Sequence, residues 1–292
     1  MTGKLMAVRR FLPFFFLTVW ASLAGAGQFV QPTLTAEQAQ ALVQRALATE
    51  SRAAQEMGSA SHPMRYRLRK TSPRLTSTKE IIETREGDVA RLLSINDQPL
   101  SPTDEQKEQA RLQALVDDPS LQQHRKQSED SDTARALKVL RVLPSAFLYQ
   151  FAGGGDGAAG PVEKFTFKPN PHFDPPDLET GILTAMAGEI WIDPVEERVV
   201  RLEGTLQQDK DFGWGILGEL DKGGTVEIEQ ADVGDHQWRI VHLKLVMNGR
   251  VLFKAKNSNS VQEYTEFAPL PADLSYKQAI EMLRTNPWTA GH

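Results

Sequence analysis

Gly188-Glu189-Ile190-Trp191-Ile192-Asp193 is followed, after residues 194–197, by Arg198-Val199-Val200-Arg201-Leu202. The β-branched and aromatic residues on both sides of Asp193-Pro194 predict two antiparallel strands, 188–193 and 198–207, joined by a turn. Working outward, the same signal recurs. In 162–168, Phe165 and Phe167 alternate with Lys164, Thr166 and Lys168, and an apolar run at 146–152 precedes it. Met64, Tyr66 and Leu68 alternate strictly with Arg65, Arg67 and Arg69, the period-two pattern of a strand with one buried face. Residues 77–85 and 88–96, turning at Gly87-Asp88, complete a meander with it. Downstream come 225–232, 237–247, 250–256 and 261–267, and Asn248-Gly249 predicts a tight hairpin between the second and third of these. That makes about eleven strands.

Helical signals bracket and interrupt them. Thr35 and Gln38 form a capping box ahead of an apolar stripe that stops at Gly58. Ser101-Pro102 starts a helix that ends before Pro119. A second helical stretch is expected from about 133 to 143, with the polar segment 122–132 read either as part of a helical insertion or as a solvated spacer. A short helix is expected over 178–187, and a closing one from Ser275, boxed by Gln278. The five glycines of 153–160 predict a mobile loop. The fold class is therefore α+β: one antiparallel sheet with helices at its start, middle and end.

The 292 residues contain no cysteine, 40% apolar and 24% charged residues, and a net charge of −5. Disulfides, Fe–S clusters and thiolate zinc sites are excluded. Lys4, Arg9 and Arg10 precede the apolar run 11–20 and the small residues Leu23-Ala24-Gly25-Ala26, which is the layout of an export signal cut after Ala26. The apolar stretch is too short for a membrane-spanning helix. Cleavage takes the net charge from −5 to −8, which argues against nucleic acid as a partner. The mature chain, 27–292, is expected to be a single domain in the periplasm or outside the cell, with an insert at 101–145.

This order of elements, the 188–202 hairpin and the late Trp238 strand leading into Asn248-Gly249 resemble the outer-membrane lipoprotein-sorting superfamily (LolA, LolB and LppX type). The resemblance implies a strongly curved half-barrel closed by helices, with acyl chains received in the hollow. The segment 101–145 is longer than such carriers have there, and no family ligand residue maps onto a numbered position.

The residues that would line such a hollow are the large apolar ones on strands: Met64, Tyr66, Leu68, Phe165, Phe167, Ile190, Ile192, Trp238, Ile240, Leu252 and Phe253. A core filled by the helices would give the same alternation. Gly213-Trp214-Gly215-Ile216-Leu217-Gly218 spells a dinucleotide fingerprint, but Gly223-Gly224 ends any helix that would hold the phosphates. Trp214, Ile216 and Leu217 instead read as a packed connection, or as a loop that gates a cavity mouth or touches a membrane or partner. The six histidines form no metal motif, and no nucleophile elbow is present. Glu227 and Glu229 share a strand face, as does the Arg65, Arg67, Arg69 row, and both read as solvated faces, the arginines pairing with Glu80 or Glu83. The expectation is a non-enzymatic envelope protein that holds a lipid or acyl chain, without cofactor or metal. A protein-binding envelope component and an exported hydrolase are the alternatives.

Overall fold

The computed structural model describes residues 34–58, 61–212, 218–251, 254–255 and 257–285. The expected export signal and Trp214, Ile216, Leu217, Leu252 and Phe253 lie outside them. The chain opens with α1 (Ala36–Gly58), whose capping box forms as expected: Thr35 N–H donates to Gln38 Oε1 at 2.9 Å and Gln38 N–H to Thr35 Oγ1 at 3.2 Å. Four strands follow, β1 (Met64–Thr71), β2 (Thr76–Ile82), β3 (Val89–Ile95) and the short β4 (Gln98–Pro99). Helices α2 (Pro102–Asp117) and α3 (Pro119–Ala146) come next. Then come β5 (Phe147–Gly157), β6 (Gly160–Pro169), β7 (Met186–Asp193), β8 (Arg198–Leu206), β9 (Lys210–Phe212), β10 (Gly218–Leu220), β11 (Thr225–Asp232) and β12 (Trp238–Met247). Finally come β13 (Gly249–Val251), β14 (Lys254–Ala255), β15 (Ser258–Pro269) and α4 (Tyr276–Thr285).

Eleven strands form one open sheet in the order β4-β3-β2-β1-β15-β12-β11-β8-β7-β6-β5. Every ladder in it is antiparallel. Ten of the eleven expected strands lie in it. The eleventh, 250–256, does not: β13 and β14 belong to a separate small sheet, β14-β13-β10-β9, and β4 takes the vacant place in the count. Asn248-Gly249 makes no hairpin of β12 with β13. Neither residue has positive φ. Gly249 is needed for space, since a Cβ there would stand 2.2 Å from the Glu219 carbonyl oxygen on β10.

The remaining differences have local causes. Residues 153–160 form no loose loop, because β5 and β6 run on as one hairpin to Gly157 and Gly160, with a bulge between Phe151 and Gly153. The expected helix at 178–187 is a six-residue 3-10 turn, Thr180–Ala185, before β7 begins. Of the two readings of 122–132, the helical one holds and the spacer does not. Asp118 caps α3 through Ser120 N–H at 3.0 Å with Pro119 at the first position, and the helix runs unbroken for 28 residues. Its polar side chains are consumed by the turn between β2 and β3. Gln122, buried, donates to the carbonyls of Glu86 (3.1 Å) and Gly87 (2.9 Å), and Glu129 accepts from Asp88 N–H at 3.0 Å.

At its other end α3 is tied to β5, where the Tyr149 hydroxyl donates to the Leu143 carbonyl at 3.0 Å. From Gln122 to Leu143 the helix covers about 32 Å. The same two anchors are eight to nine strands apart in the sheet, about 40 Å of flat sheet at ~4.8 Å per strand. The helix therefore spans the sheet from the β2–β3 turn to β5.

Side chains cap part of one sheet edge. Beside β3, Glu108 of α2 accepts from Leu92 N–H at 2.7 Å and Arg111 donates to the Ala90 carbonyl, so side chains occupy edge groups that another strand would otherwise pair. Two cores result. Ile82 and Val89 pack with Leu112, Leu115, Tyr276, Ile280 and Leu283 from α2 and α4. The larger core joins α1 and the end of α3 to β5–β8.

Candidate functional site

Partners across an antiparallel ladder share a face, so the registers trace rows straight across the sheet. One row on the inner face, the face carrying α1, is Phe151–Phe165–Ile190–Leu202–Ile228–Leu243–Gln262. The next is Tyr149–Phe167–Gly188–Gly204–Val226–Leu245–Ser260. On the outer face the corresponding row is Lys164–Trp191–Arg201–Glu229–His242–Glu263–Arg69. The central strands are thus aliphatic inside and charged outside, the pattern of a sheet with one dry and one wet face.

The outer face explains the polar candidates. Arg201 pairs with Glu227 at 2.6 Å and with Glu203 and Glu229, and its guanidinium lies 5.4 Å from the Trp191 ring centre. Glu227 and Glu229 are therefore members of an ion-pair network. The arginine row of β1 departs from its expectation at one end. Arg65 does pair with Glu80, but both are buried, Glu80 completely, because α2 and α4 cover that end of the face. Arg69, half-exposed, bonds Asp97 at 3.0 Å and Glu263 at 3.1 Å. Among the described residues, no group of three or more His, Asp or Glu is placed to hold a metal ion, and no helix is long and apolar enough to cross a membrane.

Burial along the inner rows changes from one end to the other. Phe165 and Ile190 are 0% and 1% exposed beneath α1, and Ile192 and Phe167 are buried with them. The Gly188–Gly204 pair leaves a slot that the Phe167 ring occupies. Leu202 and Val226 pack at the margin of this core, and Ile228, Leu243 and Leu245 beyond it are half-buried. Leu68 and Tyr264, paired across β1 and β15, continue the half-buried surface, and Tyr66 stacks on Phe267 with ring centres 5.4 Å apart.

The sequence-selected residues therefore divide into two groups. Phe165, Phe167, Ile190 and Ile192 stand in the filled core, and Met64 is buried at the start of β1. Trp238 is buried below the end of α1, with the Arg198 guanidinium 5.5 Å from its ring centre. Arg198 is held there by Glu50 through bonds of 2.9 and 3.1 Å. Leu68, Tyr66 and Ile240 lie on the half-buried part. Sequence inspection passed over Leu202, Ile228, Leu243, Leu245 and Tyr264. The alternation of Leu243 and Leu245 with His242 and Lys244 was the signal that marks two of them.

Two hollows have polar side chains in their walls. One, of about 60 Å³, lies between the end of α1 and Trp238, with His62, Arg198 and Arg239 in its wall. Another, of about 410 Å³, lies between the start of α3 and Tyr276, with Gln122, Gln123 and Gln127 in its wall. Neither is a closed apolar chamber.

No family model matches the chain, and no curated protein does. A solved structure described as a proposed outer membrane lipoprotein-sorting protein domain from Vibrio parahaemolyticus aligns over 86% of this chain and 100% of that one. The identity is 9% and the TM-score 0.32. A likeness at that level fixes no function.

Proposed function

We propose that this protein is a non-enzymatic, exported envelope component that lays a lipid or acyl chain along the inner face of its central strands. The reading includes removal of an export signal behind Ala26 and residence in the periplasm or outside the cell. The observation that carries it is the aliphatic surface formed by Leu202, Val226, Ile228, Leu243 and Leu245, continued by Leu68 and Tyr264, half-buried beside a core that the helices fill. A hydrocarbon chain covering such a surface gains about 25 cal/mol per Å² of apolar area removed from water. It needs no polar partner along its length, and none of the seven residues supplies a charge. The side chains selected from sequence that share this surface, Leu68, Tyr66 and Ile240, belong to the proposed site. Phe165, Phe167, Ile190 and Ile192 form its floor at the helix-covered end.

Native mass spectrometry of the protein after gentle purification tests the reading. A co-purifying mass of a fatty acid or phospholipid, or stoichiometric uptake of an added fatty acid, is the expected result. A bare protein that takes up neither fatty acid nor phospholipid overturns it.

A further inference from the structure

The two halves of α3 are held by different chemistry. Its C-terminal half enters the apolar core through Val139, Leu140, Val142 and Leu143. Its N-terminal half is fixed to the 84–88 turn by polar contacts. Gln122 bonds the Glu86 and Gly87 carbonyls, Arg125 donates to the Asp88 carbonyl at 3.2 Å, and Glu129 accepts from Asp88 N–H at 3.0 Å. The fit is close: Gly87 has φ +100°, and a Cβ on it would meet Gln122 Nε2 at 3.0 Å and Glu129 Oε2 at 3.1 Å.

Closing this contact adds Glu129 and Arg125 to a place that already holds Glu83 and Asp88. Asp88 is faced by Glu83 from the end of β2, by Glu129 and Arg125 from α3, and by the Tyr66 hydroxyl from β1. Arg239 of β12 lies 3.9 Å from Glu83, and Lys126 and Asp130 flank Glu129. Four carboxyl groups therefore share the influence of two arginines and one lysine, and that lysine is paired with Asp130.

We propose that the N-terminal half of α3 is an acid-tightened latch, whose closure on the 84–88 turn takes up a proton into the Glu83, Asp88, Glu129 cluster and whose release frees that end of the helix from the sheet. Burial pushes the Asp88 carboxyl up to about 8, with Glu129 and Glu83 adding to the rise and Arg125 opposing it. Burial raises Glu83 and Glu129 as well. The released turn loses Glu129 and the part of the burial that α3 supplies, so the Asp88 carboxyl falls toward the ordinary carboxylate range. A carboxyl whose pKa is higher in the closed state holds its proton there and loses it on opening, so closure weakens as pH rises toward about 8. Above about 8 it is level, because both states are then ionised. The slope is at most about tenfold per pH unit for one proton.

Hydrogen exchange of the full chain, corrected for intrinsic rates and followed between about pH 5 and pH 9, reads this directly. Opening of the segment 119–132 is expected to rise at least tenfold from pH 5 to pH 8 relative to α1 and then to level off. In Asp88→Asn the rise is expected to shrink several-fold. If that variant does not fold, Glu129→Gln is expected to reduce the slope in the same way. No rise in the wild type, an undiminished rise in the variant, or an equal rise across α1 would each overturn the latch. No lipid is needed for the measurement, so its outcome is independent of the proposed ligand.

Discussion

The sheet has one end that the protein completes with its own side chains and a centre that it leaves half-finished. At the β5–β8 end, α1 and α3 deliver Ala39, Val43, Ala46, Leu47 and Leu143 onto Phe165, Phe167 and Ile190, all of them buried. Three and four strands along, the same row continues as Ile228 and Leu243, equally aliphatic but half-exposed. The chemistry of the row is constant and only its cover changes. Apolar character inside the sheet therefore locates the inner face, while the reach of the helices decides which part is filled core and which part stays partly open.

Disrupting the covered end should cost most. Glu50→Ala strips Arg198 of both its carboxylate bonds and Val199 N–H of its acceptor. Leaving that buried cation uncompensated is expected to cost about 3–5 kcal/mol, read as a lowered midpoint in urea unfolding. Phe165→Ala opens a cavity in the same core and should cost about 3–5 kcal/mol as well. A loss under about 1 kcal/mol would mean that the end is not the filled core described. Glu108→Ala leaves Leu92 N–H on the sheet edge without its acceptor and is expected to cost about 1–3 kcal/mol. It should also increase concentration-dependent aggregation in light scattering. The smallest effect belongs to the centre: Leu243→Ala is expected to cost about 1 kcal/mol or less, as an incompletely buried side chain. A cost equal to that of Phe165→Ala would erase the distinction between the two regions.

Much of this architecture was legible in the residues. Alternation, apolar runs and turn residues together mark ten of the main-sheet strands, and the Thr35–Gln38 and Ser275–Gln278 boxes both form as read. What escaped depends on contacts that a linear pattern does not hold. The 122–132 segment carries no apolar stripe because its helix is secured by Gln122 and Glu129 bonding to backbone, which gives no periodic signal. Asn248-Gly249 was misjudged because glycine serves close packing as well as turns, and at 249 the packing against Glu219 governs. Within the site, alternation could place Phe165 and Leu68 on the inner face. It could not say that α1 covers the first and stops short of the second, since cover is a property of the tertiary path. Glu80 shows the same limit from the other side, being a charged residue made fully buried by the helices above it.

The most direct test places a charge where the apolar chain is proposed to lie. Titration with a fluorescent fatty acid should give saturable binding to the wild-type protein. Leu243→Lys should weaken that binding at least tenfold while its unfolding midpoint stays close to that of the wild type. Equal affinity in the substituted and unsubstituted proteins, or a probe that never saturates either one, would contradict the assignment of the central strands.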